Sequence, residues 1–169
     1  MYRFIELFFQ IAILRKGPQD VPASPWMLWL LLPAFTVINL LILLLSSFTW
    51  SGVLLIAINL LLMAGFSWTL LYFADKKARF QQTFCALIGI DTLISFCQLP
   101  AVAGLTSEAA DFASLAILGL MVWQWLISGH IYRNALDRPL FFGLGLALLY
   151  ILISYQVMAV LFPVVSTTN

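Results

Sequence analysis

Apolar positions in this chain run together in long blocks, separated by short polar breaks. Five blocks are long enough to cross a hydrocarbon core of about 30 Å, which takes roughly 20 mostly apolar residues in a helix. They are Trp26–Ser46, Gly52–Phe73, Thr83–Pro100, Asp111–Tyr132 and Leu140–Phe162. The first, second and fifth are almost unbroken Leu, Ile, Val, Ala and Phe. The third is the weakest, interrupted by Asp91, Thr92, Ser95 and Gln98. The connections Ser47–Ser51, Ala74–Gln82, Ala101–Ala110 and Arg133–Pro139 leave no room for a further domain. Links this short predict antiparallel, adjacent neighbours.

Ahead of these blocks, Tyr2–Arg15 has a different pattern. Arg3, Glu6 and Gln10 fall at i, i+3 and i+7, on one narrow helical face, with Tyr2, Ile5, Phe8, Phe9 and Ala12 over much of the rest. The segment is too short to span and reads as an amphipathic helix lying in the headgroup region. A cleaved signal peptide is the rival reading, since Val21-Pro22-Ala23 resembles a small-residue cleavage site. Arg15, Lys16 and Asp20 make a poor flank for one. Lys16–Pro25, with its prolines, is then a stiff loop. The expected fold is an all-α polytopic membrane helix bundle, five transmembrane helices preceded by an interfacial amphipathic helix. Residues 1–25 form the cytoplasmic helix and Pro-rich loop, 26–162 a single five-helix domain and 163–169 a short external tail.

Composition agrees: of 169 residues, 63% are hydrophobic and only 9% charged, against about 45–50% and 25% in soluble domains. Mean hydropathy is +1.05. A net charge of +1 creates no field that would draw nucleic acid. The distribution of charge says more than its sum. Arg3, Arg15 and Lys16 precede the first block, Lys76, Lys77 and Arg79 join the second and third, and Arg133 and Arg138 join the fourth and fifth. The alternate connections hold no Lys or Arg, an eight-to-zero split that predicts a cytoplasmic N-terminus and an external C-terminus. If the third block were re-entrant, the split would collapse, so five spans are expected. Trp26, Trp29, Trp50, Tyr72 and Tyr132 fall near block ends, as interfacial anchors do. No Asn-x-Ser/Thr sequon occurs, which fits a bacterial inner membrane.

Each block carries a strongly polar residue away from its ends: Asn39, Asn59, Asp91, Gln124 and Gln156. An Asp at a helix centre costs roughly 2.5–3.5 kcal/mol on insertion scales, so these residues should face the interior and bond to one another. By position along the blocks, Asn39, Asn59 and Gln156 fall at similar height and are expected to share one layer. Asp91 falls near the middle and Gln124 nearer the cytoplasm. Ser95 and Gln98 follow Asp91 at i+4 and i+7, giving a polar stripe, and Ser128 follows Gln124 at i+4. Two readings stay open: a satisfied network that fixes helix order, or an ion or proton path in which Asp91 titrates. Pro33 should loosen the first helix at the carbonyl of Trp29, and Gly143 and Ala147 form a small-xxx-small pair suited to a close helix contact.

Motifs for metal-assisted hydrolysis, acyl transfer, phosphate cradling and dithiol redox chemistry are absent. Cys85 and Cys97 are twelve residues apart in one block, roughly 18 Å along a helix and beyond disulfide reach. His130, Arg133 and Arg138 could build a headgroup or phosphoryl site, although topology alone places such residues at a membrane boundary. Glu108 and Asp111 read as first-turn acids of the fourth helix. No cofactor or metal is implied.

One family resembles this arrangement. Arg79-Phe80-Gln81-Gln82-Thr83, leading through Ala86-Leu87 to Leu99-Pro100, is similar to the loop into the third span of the Yip-like integral membrane proteins. Trp125 through Gly129 to Ala135 is similar to their fourth-to-fifth turn, and the likeness covers Leu71 to Gln156. The family usually has a longer soluble N-terminal segment, which this N-terminal third does not match. The resemblance implies a non-enzymatic membrane protein that works through partners, and transfers no catalytic residue. The expected function is therefore a scaffold or subunit of a membrane complex, partnered by the lipid bilayer and by other membrane subunits or copies of itself. Its docking surface would comprise the N-terminal helix with Arg15, Lys16, Lys76, Lys77, Arg79, His130, Arg133 and Arg138. The alternative is a small transporter or channel component with Asp91 in its path.

Overall fold

The computed structural model describes residues 2–22, 24–46, 48–105 and 110–162, with side chains from Glu6 onward. Among them are six α-helices and no strand: α1 (Tyr2–Ala12), α2 (Pro25–Ser46), α3 (Trp50–Phe73), α4 (Phe80–Gly104), α5 (Ala110–Leu136) and α6 (Leu140–Leu161). Short 3-10 turns at Pro18–Asp20 and Lys77–Arg79 lead into α2 and α4. The helices α2 to α6 are each long and apolar enough to cross a membrane. The tail 163–169, Glu108 and Ala23 of the cleavage-like triplet lie outside the described residues.

Polarity decides which helix sits inside. The block expected to be weakest, α4, is the centre of the bundle: every residue from Thr83 to Thr92 is buried, so the helix is covered all round. Buried residues make up 56% of its most apolar stretch, against 6 to 17% for the other four. Three of those four bury a narrow stripe: Met27, Leu31 and Phe35 on α2, Met63, Ser67 and Leu71 on α3, and Gly143 and Ala147 on α6, whereas α5 buries a wider face near its end, with Ile127, Gly129, Ile131, Tyr132, Ala135 and Leu136. Their large outward residues, such as Trp26, Trp29, Phe73 and Phe141, remain exposed. The packing departs from simple sequential adjacency. The main partner of α2 is α4 rather than α3, because α4 holds the polar positions that need cover.

The ends of the helices are longer than the hydropathy pattern indicates. Pro100 does not stop α4, which continues to Gly104, and α5 runs a turn past Tyr132 to Leu136. That extra turn carries Tyr132 into the core at 2% exposure, in edge contact with Phe66 at 5.8 Å, so it is not an interfacial anchor. Tyr72, by contrast, is exposed. The amphipathic helix α1 exists, but it lies against α4 and buries Leu7, Phe8, Ile11 and Ala12, while Phe9 is exposed. The ring of Phe8 fills the space where a side chain on Gly89 would sit.

Three helices finish at the end of the bundle that carries the basic residues, and all three close alike. Leu14, Asp75 and Asp137 take φ of 64°, 55° and 53°. The following amide then returns to the carbonyl five residues back: Arg15 to Gln10 at 2.9 Å, Lys76 to Leu71 at 2.8 Å and Arg138 to Arg133 at 3.0 Å. These are Schellman closures, which satisfy carbonyls a helix end would leave bare. At the opposite end Thr49 caps α3, its Oγ1 accepting from the Gly52 amide at 3.1 Å.

Candidate functional site

The close contact expected at Gly143 and Ala147 falls at Gly143, against Gly129, and fixes the spacing of α5 and α6. A side chain at Gly143 would collide with the Gly129 carbonyl and the Arg133 backbone, and one at Gly129 would meet the Leu144 Cα at 3.0 Å. Trp125, one turn before Gly129, donates from Nε1 to the Leu144 carbonyl at 3.1 Å. The two helices are thereby held together, and α4 packs along α5.

Asp91 lies on α4 in the middle of this assembly, 8% exposed. Gln124 on α5 donates from Nε2 to its Oδ1 at 2.5 Å. Asn39 on α2 is its second hydrogen-bond partner and also donates to the Phe35 carbonyl at 3.0 Å. Beside them Tyr150 on α6 donates its hydroxyl to Asn59 Oδ1 at 2.9 Å. These groups surround a pocket of about 100 Å³, walled by Asn59, Asp91, Gln124, Ser128, Tyr132 and Tyr150, with Met63 and Leu87 as its apolar part. Four helices thus contribute polar atoms to one space.

The polar residues meet in a different pairing from the expected layer. Asn39 joins Asp91 and Asn59 joins Tyr150, while Gln156 lies on the exposed face of α6 and takes no part in the pocket. Asp91 and Gln124 are in direct contact although residue counting puts them at different heights, because the helices do not start in one plane. Ser95 is buried one turn beyond Asp91 and Gln98 is half-buried beyond it. Tyr150 and Tyr132 were not among the expected site residues. Tyr150 was discoverable, since a tyrosine ten residues inside an apolar block is too deep to be an anchor. Ser67, fully buried beside Tyr132, carried no such signal.

At the basic end a second cluster forms. Lys76 Nζ donates to the Leu136 carbonyl at 2.8 Å and to Asp137 Oδ2 at 2.6 Å. Arg79 donates to the carbonyls of Asn134 and Ala135 at 3.4 and 3.3 Å and to the same Asp137 oxygen at 2.9 Å. The two cations hold the Asp137 carboxyl below the usual carboxylate range, Lys76 first and Arg79 second. They also lie where the α5 dipole ends, a favourable place for positive charge. Lys77 sits over the Tyr72 ring at 4.0 Å. His130 is half-buried, its Nε2 at 3.2 Å from the Lys16 carbonyl and 2.9 Å from Asn134 Nδ2. Arg15, Lys16, Arg133 and Arg138 are exposed. So the predicted basic set divides into a clamp, made by Lys76 and Arg79, and a free outer rim.

Among the described residues no cluster of three His, Cys, Asp or Glu side chains is placed to hold a metal ion, and Cys85 and Cys97 are unbridged. No family model, curated protein or solved structure matches the chain.

Proposed function

We propose that this chain is a non-catalytic integral membrane protein, a small transporter or channel component whose working group is the Asp91 carboxyl. One observation carries the reading: Asp91 faces an open, polar-walled pocket in the middle of the bundle. A carboxyl kept only to order helices would be expected in the close packing typical of protein interiors. The volume of about 100 Å³ instead suits about three waters, each claiming roughly 30 Å³. A hydrated carboxyl with amide partners can take up and release a proton or hold a small cation, and intramembrane acids commonly serve this role. The uniform basic end supports a cytoplasmic N-terminus, and the absence of sequons favours a bacterial inner membrane. Proton and monovalent-cation flux into liposomes, compared for wild type and Asp91→Asn, tests the reading. Flux above that of empty liposomes, lost in the variant, supports it; equal rates at the empty-liposome level overturn it.

A second reading is a scaffold or subunit that acts through partners, to which the Yip-like resemblance also points. It is favoured by the rigid basic end, where the Lys76–Asp137–Arg79 clamp ties two connections together and leaves Arg15, Lys16, Arg133 and Arg138 exposed for docking. Cross-linking in native membranes followed by mild detergent extraction tests it. A chain that always elutes alone counts against this reading.

A further inference from the structure

Past the Gly129–Gly143 contact, away from the basic end, the space between α5 and α6 is a groove of about 200 Å³. Its apolar walls are Met121, Trp125, Ala147 and Ile151; its polar wall is Gln124, Ser128 and Tyr150. Those last three side chains also wall the Asp91 pocket. Groove and pocket are therefore back to back, and Gln124 itself touches the Asp91 carboxyl at 2.5 Å.

We infer that the α5–α6 groove is a lateral binding site for an amphiphilic monocation of the alkylammonium class. The apolar body lies along Met121, Trp125 and Ile151, and the charged head stands at the Gln124–Ser128–Tyr150 wall. Charge complementarity selects this occupant. Among the described residues, Asp91 is the sole formally charged side chain in either lining, and no Lys or Arg borders the groove or the pocket. An anionic head would stand one side chain away from a carboxylate, whereas a cation there is attracted. The aromatic residues Trp125 and Tyr150 in the lining are of a kind that attracts cations. The indole of Trp125 is fixed by its bond to Leu144, so the wall is preformed. Shape agrees, because the contacts at Gly129 and Gly143 close the groove at the basic end and force entry from the side.

The inference rests on Asp91 as the working group of the pocket, and its test separates the two. Full-length protein in zwitterionic-lipid nanodiscs is titrated with hexylammonium, hexanol and hexanoate, with empty nanodiscs as the blank. Hexylammonium should bind saturably and at least tenfold more tightly than hexanol, with hexanoate weakest. Asp91→Asn should reduce the preference for hexylammonium over hexanol to less than threefold. Ile151→Trp, at the exposed rim, plugs the groove without altering the core and should weaken hexylammonium at least tenfold. Ala147→Leu fills it from the buried side and should do the same. Equal affinity for hexylammonium and hexanol in the wild type overturns the proposal, as does binding unchanged by Ile151→Trp. If proton flux still depends on Asp91 in that event, the transport reading survives alone. If hexylammonium binds as expected but no flux is seen, the site stands and the transport reading falls.

Discussion

Two aspartates define the two regions of this protein, and their surroundings differ in kind. Asp137, at the basic end, is exposed and touched by two cations that also hold the last carbonyls of α5. Asp91, in the middle of the bundle, is buried and touched by the neutral amides of Gln124 and Asn39. The first carboxylate has its charge compensated within the fold, and through its Oδ2 it ties two connections together. The second has hydrogen bonds but no counter-charge, and an open pocket beside it. A proton or cation from outside can complete it. On the proposed reading, charge compensation as well as burial separates the structural acid from the working one.

Enlarging Gly143 is the most severe way to break this arrangement. Gly143→Leu drives a side chain into the Gly129 carbonyl and the Arg133 backbone, and neither can yield as a flexible side chain would. Overpacking commonly costs about 1–3 kcal/mol, and a collision with backbone belongs at or above the upper end. The expected outcome is loss of the monodisperse elution peak in detergent and collapse of both regions together. Next in size is the pair Asp91→Asn and Asp91→Leu. The amide variant keeps partners for Gln124 and Asn39, so it should hold thermal stability while losing flux. The Leu variant strands those amides, which costs about 1–3 kcal/mol for a buried unpaired group, and should lower the melting temperature as well. An Asn variant as unstable as the Leu variant would make Asp91 a structural acid after all and erase the contrast with Asp137.

The helices were legible because a run of about 20 apolar residues has few alternatives in length. The site was legible in its residue types and not in its pairing. Asp91 and Gln124 stand out as costly in apolar blocks, yet which polar groups meet depends on helix rotation and tilt. A helix apolar on all sides reveals neither, since each residue turns the face by about 100°. That is why Asn39 and Asn59 found Asp91 and Tyr150 rather than each other, and why Gln156 faces outward. The centre of the bundle carried no signal of its own in the apolar blocks. Interruptions in the third block look like weakness as a span, but they are what a helix covered by others can carry.

Smaller substitutions sharpen the comparison by acting on one region at a time. Thr49→Ala removes the cap of α3 at the end far from the clamp and should cost about 1 kcal/mol. Flux through the Asp91 pocket and the pH dependence of melting should both stay as in wild type. A change in either would couple the cap to a region it does not touch.

Asp137→Asn should have the smallest effect, because the carboxyl is exposed and its ion pairs are screened by salt. Its sign is nonetheless fixed by the direction of the shift. Lys76 and Arg79 hold the folded carboxyl below the usual value of about 3.9. The proton therefore binds the unfolded chain more readily, so the contribution is fully present above that value and is lost as pH falls through the depressed one. Wild type should lose more thermal stability than Asp137→Asn between pH 5 and pH 2 (roughly one unit above and two below that value). The other acids are common to both proteins and cancel in the difference. At neutral pH the variant should melt slightly lower, with the gap closing in high salt. Melting temperatures that fall in parallel would show that the cations hold the α5 carbonyls unaided. Asp137 would then be a bystander, and the basic end would rest on helix-end geometry alone.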